Sequence, residues 1–231
     1  LVDSSTRSTD RACFMALRAT LSNDDATRRA GLDAALELDP ECGLAHFLRG
    51  EVLRARGESG PAFQSYLRAV NQTSAPPQAW PGLAETAMAD HRPHIAQRAL
   101  EVCARLEPGN ARWHYNLGTV LLETDDNPKA ARAAFERADA LAPGDRDTLM
   151  NLATACVRAG DPEAARAVLE RAQQLHPDDS DLVFNLAVLH VDHLNDPAGA
   201  LELFRRYETM TGERSLRVER WIRELEARLQ P

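Results

Sequence analysis

The chain has 231 residues, 44% of them apolar and 27% charged, which is the balance of a packed globular protein rather than a disordered one. A net charge of −8, with no basic stripe interleaved with aromatics, argues against a nucleic-acid partner. No apolar run is long enough to cross a bilayer as a helix, so no transmembrane segment is expected in this sequence.

Residues 1–8 are polar and rich in Ser and Thr, and read as the remnant of a linker. From residue 9 one pattern repeats six times with a period of 34 or 35 residues, over 9–42, 43–76, 77–110, 111–145, 146–179 and 180–214. The eighth position of the units reads Ala16, Gly50, Ala84, Gly118, Ala153 and Ala187. The twentieth reads Arg28, Ala62, Ala96, Ala131, Ala165 and Ala200, and the twenty-seventh Ala35, Ala69, Cys103, Ala138, Ala172 and Tyr207. Small side chains thus recur where helices must approach closely, and large apolar ones recur between them. Leu117, Leu152 and Leu186 form one such equivalent set; Phe135, Leu169 and Phe204 form another. A self-similar period of this size implies a stacked solenoid of helical pairs, which counts as one elongated unit.

Prolines punctuate the units. Pro61, Pro93, Pro128, Pro162 and Pro197 fall at the start of second helices, where no backbone N–H is needed. Asn127, Asp161 and Asp196 stand just before three of them as caps. Pro40, Pro76, Pro108, Pro143 and Pro177 stop the second helices. After the last unit, residues 215–231 carry Val218, Trp221, Ile222, Leu225 and Leu229 at helical spacing, which reads as one amphipathic capping helix over the sixth unit. A helix of this kind could also bind a partner or dimerise.

The order of bulky, Leu-Gly, Ala, aromatic, Ala and Pro positions resembles the tetratricopeptide repeat. Units three to five match that pattern well; unit one carries Arg28 at a small-residue position, and unit six carries Tyr207 and Gly212 where Ala and Pro are usual. The resemblance implies an all-α, right-handed superhelical solenoid of six two-helix units plus the C-terminal helix. It also implies that first helices line a concave groove that binds a protein or peptide segment. Carried over position by position, the groove residues are Phe47, Glu51, Arg54, Met88, Tyr115, Asn116, Thr119, Met150, Asn151, Thr154, Phe184, Asn185 and Val188. The sixth positions Asn116, Asn151 and Asn185 are expected to form a row of amides. Each offers a donor and an acceptor to a peptide backbone, or pairs within the array. The residues before them, Tyr115, Met150 and Phe184, would supply apolar selectivity. An apolar face of this kind marks a protein-binding site unless its residues pack under neighbouring helices.

Of four cysteines, Cys103 and Cys156 fall at core positions and read as small buried apolar groups. Cys13, early in the first helix of unit one, and Cys42, just after its second helix, lie at adjacent ends of a hairpin. That placement is compatible with a disulfide and equally with two thiols.

Catalytic signatures are missing. Gly57-Glu58-Ser59-Gly60 lacks the Lys-Ser/Thr of a phosphate loop, and there is neither a Gly-x-Ser-x-Gly elbow nor a His-Glu-x-x-His helix. His91/His94 and His190/His193 have a spacing that could hold a metal, but no thiolate or carboxylate set accompanies them. Asn71-Gln72-Thr73 fits a glycosylation acceptor, a tripeptide frequent by chance. No enzyme activity, cofactor or small-molecule substrate is therefore expected. The Lys/Asn/Arg clamp with which cochaperone members of the family hold a C-terminal carboxylate is missing: Cys13, Phe14, Leu48 and Gly82 occupy the corresponding positions.

Two functions fit these observations. The first is a non-catalytic adaptor. Its plan and its Ala/Arg/Leu/Glu-rich composition are similar to those of bacterial six-repeat outer-membrane lipoproteins that pilot type IV pilus secretins, and to related gliding-motility proteins. That resemblance implies the periplasmic face of the outer membrane rather than the cytoplasm, a secretin as partner, and a lipidated cysteine upstream of Leu1. The second is the recognition domain of a larger enzyme whose catalytic part lies outside this sequence.

Overall fold

The computed structural model describes residues 4–72, 74–124, 127–212 and 215–230, and among them it contains thirteen α-helices and no strand. Two compact units divide the chain, Leu1–Pro108 and Gly109–Pro231. Unit 1 holds α1 (Ser4–Thr20), α2 (Asp25–Leu38), α3 (Gly43–Ala55), α4 (Ser59–Val70), α5 (Ala79–Ala89) and α6 (Pro93–Leu106). Unit 2 holds α7 (Ala111–Thr124), α8 (Pro128–Leu141), α9 (Arg146–Arg158), α10 (Pro162–Leu175), α11 (Ser180–Asp192), α12 (Pro197–Thr211) and α13 (Leu216–Leu229). Each odd-numbered helix from α1 to α11 packs against the even-numbered one that follows it, and α13 packs on α12. The protein is an all-α helical repeat with a C-terminal helix.

The helix ends follow from local chemistry. Pro93, Pro128, Pro162 and Pro197 are the first residues of α6, α8, α10 and α12. Asn127, Asp161 and Asp196 accept the N–H of Ala130, Ala164 and Gly199 at 3.0, 3.1 and 3.0 Å. Asp24, Asp145 and Asp179 cap α2, α9 and α11 in the same way. Pro61 departs from the pattern: α4 begins two residues earlier, at Ser59, and the proline sits within its first turn, where its missing N–H still costs nothing. The short turns pass through left-handed backbone at one equivalent position, occupied by Gly57, His91, Gly160 and Asn195 with φ of 75°, 52°, 81° and 50°.

Residues 4–8, expected as linker, instead form the first turns of α1. Nothing between Ser4 and Thr20 breaks a helix, and Ser or Thr costs only a few tenths of a kcal/mol per helical position. Residues 1–3 of that expected linker lie outside the described residues.

The core is built from the large residue at the twenty-fourth position of each repeat, set against the small residue at the eighth. Leu32, Tyr66 and Leu100 in unit 1, and Phe135, Leu169 and Phe204 in unit 2, are all buried. A Cβ built at Gly50 would lie 2.7 Å from the Tyr66 ring, and one at Gly82 would lie 2.5 Å from it, so two glycines of successive repeats clasp one tyrosine. In unit 2 a Cβ at Gly118 would come within 2.7 Å of the Phe135 ring. Arg28, at a position where the other repeats carry Ala, stays half-buried and donates Nη2 to the Ser22 carbonyl at 2.9 Å.

Polar ties connect successive repeats of unit 2. Arg146 spans from α9 to Asp179 at 2.6 Å and Asp181 at 2.9 Å. His176 Nε2 meets the Gly144 carbonyl at 2.9 Å. Asp139, largely buried, is satisfied by Arg171 and by the Gly144 N–H. These contacts fix register; the apolar positions supply most of the stability.

Gly118→Val tests the close approach. Helix propensity alone would favour Val over Gly by a few tenths of a kcal/mol. The branched side chain must displace the Phe135 ring, and overpacking of this kind costs about 1–3 kcal/mol. Urea unfolding followed by circular dichroism should show a lower midpoint for the variant; an equal or higher midpoint would contradict the packing.

Candidate functional site

In unit 2 the fifth, sixth and ninth repeat positions fall within one arc of about 100° on each first helix, the width of a typical helix face, with the fifth and ninth neighbours one turn apart. α7 contributes Tyr115, Asn116 and Thr119; α9 contributes Met150, Asn151 and Thr154; α11 contributes Phe184, Asn185 and Val188. Eight of these nine are half-buried and Thr154 is exposed. Between α9 and α11 this face opens into a cavity of about 170 Å³, walled by Met150, Val157, Leu169 and Val188, with Asn185 and His193 as polar members. The sequence did not single out Leu169 as a wall, because it belongs to the second helix α10 and reads as core.

The asparagines do not behave alike. Asn151 Nδ2 donates to the Tyr115 hydroxyl at 3.2 Å, a tie between successive first helices. Asn185 Nδ2 donates to the Asp181 carbonyl of its own helix at 2.8 Å and lies 3.9 Å from the Met150 sulfur. Asn116 makes no side-chain hydrogen bond among the described residues, so donor and acceptor are both open. Asn185 therefore turns its amide N–H groups to the array, Asn151 commits one of its two, and both keep their carbonyl oxygens. The hydroxyls of Thr119 and Thr154 turn back on the Tyr115 and Met150 carbonyls at 3.1 and 3.0 Å. They offer a partner methyl groups more than donors.

The two aromatic members of the face are also tied in. Tyr115 meets Phe135 edge-on at 5.8 Å. Phe184 lies among Phe204, Tyr207 and Trp221, with ring centroids 6.0, 5.3 and 5.8 Å away. Trp221 comes from α13 and stacks 5.0 Å from Phe204, with the Arg217 guanidinium 4.6 Å above its ring. α13 therefore packs on a residue expected to face the open groove. Amphipathic spacing predicts that α13 covers the last repeat, but it does not name Phe184 as the residue beneath Trp221.

Unit 1 has its own first-helix face, and it is different in kind. Phe47 packs 6.4 Å from Tyr66, and Met88 is half-buried. Glu51 accepts a hydrogen bond from the Tyr66 hydroxyl and pairs with Arg54 at 2.9 Å, while Arg54 Nε also reaches Tyr66 Oη at 3.2 Å. Burial and the Glu51 carboxylate push the Tyr66 phenol well above its usual range, and Glu51 and Tyr66 hold the Arg54 guanidinium charged. Glu51 and Arg54, expected to meet a partner, are thus already committed to a network anchored on a buried tyrosine. By contrast, Phe14 and Leu17 on α1 and Leu21 just after it are 66%, 50% and 82% exposed.

The remaining sequence candidates fall outside both faces or take other roles. His91 is exposed and supplies a left-handed turn residue; His94 is exposed; His190 is buried with Nδ1 2.9 Å from the cap Asp196. His193 lines the cavity of unit 2. Among the described residues no three His, Cys, Asp or Glu side chains gather as a metal site, and no helix is long and apolar enough to cross a membrane. Thr73 of the glycosylation tripeptide lies outside the described residues. Cys103 is buried, and burial pushes its thiol up to about 12. Cys13 and Cys42 are free thiols with sulfurs 3.0 Å apart.

Comparison with known proteins agrees with this architecture. Tetratricopeptide repeat profiles match residues 16–79 and 82–146, and 124–187 and 157–209. The chain belongs to the tetratricopeptide repeat family. No curated protein matches the sequence. Among solved structures it is similar to YrrB, described as a tetratricopeptide repeat protein with an unusual peptide-binding site, at 20% identity and a TM-score of 0.65, over 79% of this chain and 93% of that one. It is similar to MamA from Desulfovibrio magneticus RS-1, at 18% identity and a TM-score of 0.62, over 74% and 95%. It is also similar to Pseudomonas aeruginosa PilF, at 19% identity and a TM-score of 0.53, over 98% and 100%. At these identities the likeness is one of fold.

Trp221→Ala should loosen α13 and uncover Phe184. Because Trp221 is half-buried, the cost should fall below the range for a full core truncation, at about 2 kcal/mol. Hydrogen exchange should show α13 and α12 losing protection while α7 and α8 keep theirs. Uniform protection in the variant would mean that α13 is not held by this cluster.

Proposed function

We propose that the protein is a non-catalytic scaffold that holds an extended segment of a partner protein on the first-helix face of unit 2. The cavity between α9 and α11 is the observation that carries this reading. Its volume of about 170 Å³ suits one large apolar side chain, and Met150, Val157 and Val188 would remove that side chain from water. The open amide of Asn116, together with the carbonyl oxygens of Asn151 and Asn185, would pair with the backbone of the segment, which fixes its direction without reading its sequence. Selectivity would come from the apolar residue in the cavity. Family membership supports the same reading, since repeats of this class commonly serve protein–protein contacts, and the similar YrrB is described as having a peptide-binding site.

The narrower reading places the scaffold in the cell envelope, as an assembly factor for a type IV pilus secretin or for motility machinery at the periplasmic face of the outer membrane. It rests on the six-repeat plan and the Ala/Arg/Leu/Glu-rich composition. Mass spectrometry of the native protein tests it. A lipidated cysteine upstream of Leu1 supports the envelope role, and a catalytic domain there supports the larger-enzyme reading instead.

Selection from a displayed random-peptide library tests the face itself. Enriched peptides should share one bulky apolar residue. Met150→Glu should abolish their binding, by setting a charge in an apolar contact. Asn116→Ala should weaken it by about 1 kcal/mol. Both variants should keep wild-type helicity. Peptides that bind wild type and both variants equally would place the site elsewhere.

A further inference from the structure

We propose that Cys13 and Cys42 are a redox-active pair that closes reversibly to a disulfide and so fastens α1 to the start of α3. Three observations carry this. The two sulfurs are 3.0 Å apart although 29 residues separate them in sequence. Closing to the S–S bond length of about 2 Å asks for an approach of roughly 1 Å. Cys42 is the N-cap of α3, and its sulfur accepts the Ala45 N–H at 3.4 Å, which holds that sulfur in place facing Cys13. Burial and the Cys42 sulfur meanwhile hold the Cys13 thiol protonated, pushing it up to about 12. Finally, the pair is graded in access: Cys13 is half-buried on α1, and Cys42 is fully buried beneath it.

That grading sets an order of events with a low-molecular-weight disulfide as oxidant. The small fraction of Cys13 that has lost its proton, reachable from solvent where Cys42 is not, attacks one sulfur of the external disulfide slowly. The external S–S bond breaks, one external thiol departs, and Cys13 is left in a mixed disulfide. Cys42 then gives up its proton and attacks the Cys13 sulfur, forming the internal bond and breaking the mixed disulfide, and the second external sulfur leaves as a thiolate that takes up that proton. Two protein thiols are oxidised and one external disulfide is reduced to two thiols, so electrons and protons balance. Cys103 and Cys156 are each buried, and neither has a sulfur partner among the described residues, so they stand as internal controls.

The bond would act on the first repeat, whose apolar cluster is built largely from small side chains. α1 is held by the small residues Ala12, Ala16 and Ala19, which pack with Leu32, Ala35, Cys42, Ala45 and Val52. The other face of the same helix exposes Phe14 and Leu17, and the exposed Leu21 follows just past its end. A cross-link from Cys13 to Cys42 encloses the second half of α1 and the whole of α2, and fixes where those exposed apolar residues are presented.

The test uses the whole chain, reduced and then incubated with glutathione disulfide. Free thiols counted in denaturant should fall from four to two and return to four with reductant. Non-reducing peptide mapping should join Cys13 to Cys42. Cys42→Ser keeps the helix cap, since Ser caps well, and should stop at a glutathione adduct on Cys13. Amide exchange in α1 should slow at least tenfold on oxidation. Four persisting thiols, a linkage through Cys103 or Cys156, or unchanged exchange in α1 would each overturn the proposal.

Discussion

The structure depends on one steric fit: a large side chain at the twenty-fourth position of each repeat, wedged where the eighth position has almost no side chain. In unit 1 the Tyr66 ring lies between Gly50 and Gly82, so a single tyrosine locks its own repeat to the next. Phe135 and Gly118 repeat the arrangement in unit 2. Helices of eleven to fifteen residues, as most of these are, would be marginal on their own. Close approach lets apolar area on both sides of each helix be buried, and that burial is what makes the short helices persist. Surface ion pairs such as Arg166 with Glu163 add little by comparison.

That fit also decides what remains for function. With second helices committed to the wedge, the first helices keep one face for solvent or a partner. In unit 2 that face is apolar, carries the open amide of Asn116 and contains a cavity. In unit 1 the same positions are drawn into the Glu51–Arg54–Tyr66 network, and the exposed apolar surface shifts to α1. One repeat plan has thus produced two different surfaces. The difference comes from a hydroxyl: Tyr66 stands where Phe135 and Phe204 stand in unit 2, and its buried phenol needs a partner.

Helix number, helix starts and the buried small positions were legible in the sequence because each rests on local chemistry repeated in phase. The proline starts and Asp or Asn caps at α8, α10 and α12 are strong signals, and the packing of α13 on the last repeat follows from its amphipathic spacing. The start of α1 departs from the expected linker because a Ser/Thr-rich composition does not by itself stop a helix. The side-chain commitments on the face were not legible either. Asn151 pairs with Tyr115 of the preceding repeat, Asn185 turns to its own backbone, and Phe184 is claimed by Trp221. All three depend on distances between helices, which a periodic pattern implies but does not measure.

The central claim, that the first-helix face of unit 2 holds a partner segment through its cavity, can be tested directly with methyl-labelled methionine. The chain has four methionines, and only Met150 lines that cavity, while Met15, Met88 and Met210 report elsewhere. Titrating a selected peptide into the labelled protein should shift the Met150 methyl resonance in proportion to occupancy and leave the other three in place. A shift at Met88 or Met15 with Met150 unmoved would contradict the account and move the binding surface to unit 1.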